Sequence, residues 1–328
     1  MPSHPRAVKS NLTTLRNTTR LLAILAGLLA VTFWGASFVA TKLVLRQITP
    51  PTIVFIRTSI GLVVLTAAAV GGGSFKERLT APWPRLLILG FLGVAFHQWL
   101  QARGLQSTSA TSSGWIIATI PIFVALLGWR FLGERLPLIR LLGIGFGALG
   151  VITVISGGHI LRFLQGFAGQ IGNAYILLSA VNWAVFTVLT KRWLFNQAAS
   201  SPEAPQQNSA SFAGMIQSMW ILMIMGWAIM LPWAIADGGI REIFQLSNAT
   251  IGALLFLGVA CSGLAYIFWY MALTRIEATE VGALLYFEPL VTQAVAWPLL
   301  GEPLTPAIML GGAAIFLGVW MVSRGRAG

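Results

Sequence analysis

Long apolar runs, solid rather than alternating, recur along the chain and are separated by short polar segments. Uncharged or nearly uncharged stretches fall at 21–41, 51–71, 86–103, 107–129, 138–157, 170–190, 212–235, 249–273, 280–300 and 304–323. Each comes near the ~20 residues that a helix needs to cross a ~30 Å hydrocarbon core. A membrane barrel would instead need segments of about 10 residues with a period of two. The pattern predicts an all-α integral membrane protein with ten transmembrane helices. Composition agrees, with 56% hydrophobic and 9% charged residues, where a soluble domain carries roughly 25% charged. Too little polar side chain exists to cover a water-soluble globule, which excludes a soluble enzyme, a secreted disulfide scaffold and a disordered chain. The single Cys261 forbids an intramolecular disulfide.

A net charge of +12 would suggest nucleic acid in a soluble protein, but here the basic residues set orientation and no nucleic-acid partner is expected. With the N-terminus in the cytoplasm, fifteen of the 21 basic residues fall on the inner side. They are Arg6, Lys9, Arg16 and Arg20 in the tail, then Lys76, Arg78, Arg85, Arg130, Arg135, Arg140, Lys191, Arg192, Arg275, Arg324 and Arg326. Lys42, Arg46, Arg103, Arg162 and Arg241 fall outside, and Arg57 lies within a span. Both termini are therefore expected in the cytoplasm. The first apolar stretch is longer than a signal-peptide core and has no A-x-A site after it, so it reads as a retained helix. Residues 1–20, polar and basic, read as a flexible cytoplasmic tail. Residues 192–211 read as a cytoplasmic linker, and 324–328 as a C-terminal tail.

The chain repeats itself. Ala110–Thr111–x–x–Gly114 recurs as Ala278–Thr279–x–x–Gly282, Pro121 as Pro289, and Trp129 as Trp297. Gly133–Glu134–x–Leu136 recurs as Gly301–Glu302–x–Leu304, and Leu149–Gly150–Val151 as Leu317–Gly318–Val319, all at one offset of 168. Phe91–Leu92–Gly93–Val94–Ala95 echoes Phe256–Leu257–Gly258–Val259–Ala260, and Trp34, Thr41 and Lys42 echo Trp183, Thr190 and Lys191. The reading is two repeats of five helices, the first over 21–157 and the second beginning at 158–191 and continuing over 212–323. Five is odd, so the copies run through the membrane in opposite senses. Such inverted repeats permit alternating access to a site near the midplane.

Trp34–Gly35–x–Ser37–Phe38, Phe55–x–Arg57 and the Pro…Gly–Glu…Gly pattern closing each half resemble the drug/metabolite transporter superfamily, and within it the EamA-domain exporters. The resemblance spans nearly the whole chain and implies a ten-helix bundle. The aromatic-lined centre is most similar to the YddG-type aromatic amino-acid exporters. It implies export of amino acids with broad specificity; carriers of cationic drugs or other metabolites share the fold. In the second half Glu288 stands where the first has Ile120, and Ala184 replaces Gly35.

Glu288 is the sharpest candidate for chemistry. A charge at membrane depth faces a cavity or a partner, and Pro289 frees the Leu285 carbonyl beside it. The carboxyl could take up a proton in exchange for solute, or pair with a ligand ammonium. Pro121 and Pro289 interrupt two helices at matching places, a pointer to a site at the repeat interface. His97 and Gln101 share a helix face and could meet a ligand carboxylate or, for His97, relay a proton; an interhelical hydrogen bond is the competing reading. Trp34 and Trp183 would supply flat apolar walls, with Tyr286 and Trp115 behind them. Arg57 reads as a residue that snorkels outward or bonds a helix-end carbonyl. Glu134 and Glu302 read as turn and capping residues. Gly143–x–x–x–Gly147 and Gly311, Gly312 and Gly318 form small-residue packing faces that could equally serve a homodimer.

Three scattered histidines and one cysteine offer no metal-ligand spacing, no phosphate-binding loop is present, and no catalytic constellation is readable. The expectation is a carrier in a bacterial inner membrane, with no enzymatic activity, cofactor or metal. A passive channel is the less favoured alternative. A small-molecule substrate, amino acids, and the lipid bilayer are the expected partners.

Overall fold

The computed structural model describes residues 5–71, 82–133, 137–159, 171–195, 212–276, 281–282 and 284–324. Among these residues every regular element is a helix. In chain order they are α1 (Pro5–Val44), α2 (Pro50–Gly71), α3 (83–105), α4 (110–132), α5 (Leu138–Ser156), α6 (171–195), α7 (Phe212–Ala236), α8 (Asn248–Leu273), α9 (Glu288–Leu300, with the 3₁₀ turn Leu285–Phe287 before it) and α10 (Pro306–Arg324). Helical backbone thus begins at Pro5, inside the segment expected to be a flexible tail, and α6 runs on through Phe195 into the expected linker. Glu134, residues 160–170, Ala278 and Thr279 lie outside the described residues, as does the linker from 196 to 211.

Seven of these helices are long and apolar enough to cross a bilayer: α1 from Thr18, α2, α4, α5, α6, α7 and α8. The expectation of ten is met only to that extent. α10 offers a shorter apolar length, Pro306–Val322. α3 is diluted by His97, Gln98, Gln101 and Arg103, and α9 is broken ahead of Glu288. The outer surface is apolar as a lipid-facing surface must be: Val63, Leu142, Leu149 and Leu310 are each at least half exposed.

Helix regularity fails at matched places. α3 contains a π-helical stretch at Phe91–Phe96, and α8 contains one at Phe256–Leu264; these are the two echoing sequences. α4 loosens at Ala118–Thr119 before Pro121, and α9 tightens to 3₁₀ at Leu285–Phe287 before Pro289. Proline removes an N–H and forces its preceding turn to adjust, while a π stretch leaves backbone carbonyls for other donors. Those carbonyls are used: Asn182 on α6 donates to Leu92 O at 2.7 Å, and Trp34 on α1 donates through Nε1 to Cys261 O at 3.1 Å.

The packing maps onto itself when α1–α5 are exchanged with α6–α10. α1 packs on α8 and α9 as α6 packs on α3 and α4; α2 packs on α8 as α7 packs on α3; α5 packs on its own mate α10. The α5–α10 pair is backbone-close. A Cβ on Gly150 would sit 2.5 Å from Gly311 O, and one on Gly143 would sit 2.6 Å from Gly318 O. The glycine faces noted in the sequence are therefore consumed inside the chain. Gly35 is required for a related reason: a Cβ there would lie 2.7 Å from Glu288 O. Thr292 holds this approach by donating to Gly35 O at 2.8 Å. Its mate Ala184 is fully buried.

Candidate functional site

The helix breaks and the buried polar groups converge on one cavity of about 160 Å³. A single water needs only about 10–15 Å³ on this measure, so the space is ligand-sized. Its lining comes from α1, α2, α3, α4, α6, α8 and α9. Ile117, Ala118 and Pro121 from the break in α4 face Leu285, Tyr286 and Glu288 from the break in α9.

One aromatic wall is built on α1. Trp34 meets Tyr266 at 5.5 Å and Trp269 at 5.3 Å between ring centroids, and its indole N–H is fixed on the π stretch of α8. The other wall is built on α6, where Trp183 meets Phe186 at 5.0 Å and the His97 ring at 4.5 Å. Both tryptophans line the cavity with their rings held in place by neighbours. Rigid aromatic faces of this kind accept flat apolar groups, and their π faces attract cations.

His97 is held by neighbours on both ring nitrogens. Nδ1 lies 2.8 Å from Ser179 Oγ and 3.3 Å from Ser179 O, while Nε2 lies 3.2 Å from Gln101 Nε2. An amide nitrogen is only a donor, so Gln101 donates to Nε2 and the ring proton resides on Nδ1, facing Ser179. The imidazole therefore forms the interhelical bond between α3 and α6, and it aims Gln101 at the cavity. Gln98 lines the same space, and its buried Oε1 finds no hydrogen-bond partner among the described residues.

Two acid or base side chains from different helices, Glu288 and Arg57, face the cavity. Glu288 is 9% exposed, and its carboxylate makes no hydrogen bond or ion pair among the described residues. Arg57 is 7% exposed; its Nε donates to Ser262 Oγ at 3.0 Å. This differs from the expected outward snorkel: the side chain turns toward α8 and the cavity, because an inner hydroxyl is within reach and the helix puts the residue on its packed face. The remaining titratable groups on the lining are His97, Cys261, Tyr266 and Tyr286.

All six binding candidates from the sequence, Trp34, His97, Gln101, Trp183, Tyr286 and Glu288, border this cavity. Trp115 does not; it packs edge-on against Phe316 in the α4–α10 core. Sequence reasoning gave Arg57 a structural role, met Ser37 only within a family motif, and did not single out Tyr266 or Trp269. Tyr266 was findable, since it stands at the offset of 165 from Gln101 that also relates Phe256 to Phe91.

Glu302 ties together the ends of three of the helices that line the cavity. Its Oε1 accepts from Ala110 N at 3.0 Å and Lys42 Nζ at 3.1 Å, and its Oε2 accepts from Thr111 N at 2.9 Å. Lys42 also donates to Thr108 O at 2.6 Å. This carboxylate thus caps α4 and joins it to the ends of α1 and α9. Burial alone would push the Glu302 carboxyl up, but the two backbone N–H bonds and the Lys42 ammonium together hold it below the usual carboxylate value.

The sequence model of the EamA-like transporter family matches this chain twice, over residues 21–156 and 170–324. An uncharacterized transporter from Archaeoglobus fulgidus is 27% identical over 311 residues, covering 94% of this chain and 98% of that one. A probable terminal-alkyne amino-acid exporter from Streptantibioticus cattleyicolor is 26% identical over 306 residues, covering 92% and 93%. One solved crystal structure superposes with a TM-score of 0.60 at 21% identity, over 91% of this chain and 94% of that one. It speaks to the fold alone.

Proposed function

Because the chain belongs to the EamA-like transporter family, we propose that it is a secondary transporter exporting amino acids, aromatic ones included, by alternating access between two inverted five-helix halves. The observation that carries this reading is the single cavity where both broken helices meet, walled by Trp34 and Trp183 and bordered by an unpaired Glu288. The doubled family match and the self-mapping helix contacts support the inverted repeat. The clustering of basic residues supports cytoplasmic termini, and the bacterial transporters among the chain's relatives agree with a bacterial inner membrane.

In this mechanism the aromatic walls take the side chain, and Glu288 takes the ammonium. On the opposite stroke Glu288 holds a proton instead, so that one carboxylate alternates between solute and proton and couples their movements. Apolar walls discriminate weakly between side chains, since one methylene is worth only about 1–3 kcal/mol, which accounts for broad specificity. The name of the S. cattleyicolor relative agrees with this substrate class. Export of cationic solutes is the second reading, favoured by the pairing of Glu288 with π faces.

The test is efflux from cells. Cells loaded with labelled phenylalanine through a dipeptide should empty faster when they express the protein than when they carry an empty vector. Equal rates, with the protein shown in the membrane, would remove the aromatic amino-acid reading.

A further inference from the structure

Arg57 is a basic group on the cavity lining that the carrier mechanism above leaves idle. It comes from α2, whereas Glu288 comes from the broken end of α9. Both side chains are more than nine-tenths buried and both line the cavity. An arginine in a protein stays charged whatever its surroundings. Its charge is not neutralised here: the only side chain it bonds is the uncharged hydroxyl of Ser262, and no carboxylate lies within 4.0 Å among the described residues. The bond through Nε fixes the guanidinium plane. The bond uses Nε alone, and Nη1 and Nη2 form a fork of the shape that receives a carboxylate.

Unpaired charge at membrane depth is costly, and here the protein holds a guanidinium and a carboxyl group in the same cavity without pairing them. A solute with a single charge satisfies one pole and leaves the other exposed to an apolar site. A zwitterion satisfies both. We propose that Arg57 and Glu288 are opposite poles that together select solutes carrying both a carboxylate and an ammonium, with Arg57 binding the carboxylate. This rests on the carrier reading above and narrows its substrate class to α-amino acids and zwitterions of similar length. It also separates that reading from its rival, since Arg57 opposes a simple cation.

The experiment uses the purified full chain in liposomes and three probes that share one ring: phenylalanine, phenethylamine and 3-phenylpropionate. Each unlabelled probe competes against counterflow of labelled phenylalanine, so passive leakage of the two analogues does not matter. In the wild-type protein, half-inhibition should need at least about tenfold more of either singly charged analogue than of phenylalanine, the scale of one lost charge-assisted hydrogen bond. In Arg57→Gln, phenethylamine should compete as well as phenylalanine; Arg57→Lys should restore part of the preference. Glu288→Gln should shift the preference the other way, toward 3-phenylpropionate. Should Arg57→Gln fail to fold, the wild-type ratios still decide. Equal competition by phenethylamine and phenylalanine in the wild type would overturn the two poles while leaving a carrier. So would an Arg57→Gln protein with unchanged ratios. A wild-type protein that moves no phenylalanine overturns the amino-acid reading and the poles with it.

Discussion

Replacing Glu288 by Gln is expected to lower phenylalanine transport at least about tenfold and to make the residual rate indifferent to pH. The carboxylate is buried, borders the cavity and has no partner among the described residues. Its negative charge is therefore available to a ligand ammonium or to a proton, and losing a charge-assisted contact of this kind costs about 1.5–3 kcal/mol. Gln is nearly isosteric, so the packing of Gly35 and Thr292 on this turn survives, and melting of the purified variant should change little. Transport at the wild-type rate with an unchanged pH profile would remove Glu288 from the mechanism.

Replacing Glu302 by Gln is expected to open the cavity at the end where α1, α4 and α9 meet. Glu302 there accepts two backbone N–H groups of α4 and the Lys42 ammonium. Loss of its charge should weaken closure by about 1.5–3 kcal/mol, about tenfold to a hundredfold in the closed-to-open ratio. Ser37, on the cavity wall, offers a reporter. A cysteine placed there in a Cys261→Ser background should react correspondingly faster with an impermeant thiol reagent in the Glu302→Gln protein. The pH behaviour follows from the lowered carboxyl. Its contribution is complete above the ordinary value of 4.5 and is lost only as pH falls through the lower folded value. Labelling of the otherwise intact protein should therefore show no titration by Glu302 from about pH 5 upward. An equal labelling rate in both proteins would show that Glu302 does not close this end.

Much of this architecture was legible in the sequence because the bilayer imposes length and polarity on every span. The matched offsets located Pro121 and Pro289, and the echo of Phe91–Ala95 in Phe256–Ala260 marked two places where the helix departs from its usual pitch. What a linear reading supplies is depth. It does not supply azimuth when π turns rotate one part of a helix against the next. Arg57 shows the difference: its depth was evident, but its direction depended on Ser262, 205 residues away. His97 shows a second limit. Its proximity to Gln101 followed from helical spacing, whereas the Ser179 bond that engages the other ring nitrogen belongs to another helix. Glu302 was read as a local cap, and its carboxylate caps a helix 191 residues earlier. The need for glycine at position 35 is visible only when α9 is seen against α1.

In this account one cavity, built where two halves meet, carries amino acids, aromatic ones included, from one face of the membrane to the other. Counterflow tests it most directly. Liposomes holding the purified protein and preloaded with unlabelled phenylalanine should take up labelled phenylalanine transiently and saturably, with other amino acids competing. A trace no different from protein-free liposomes, recorded with protein shown to be folded, would contradict the account.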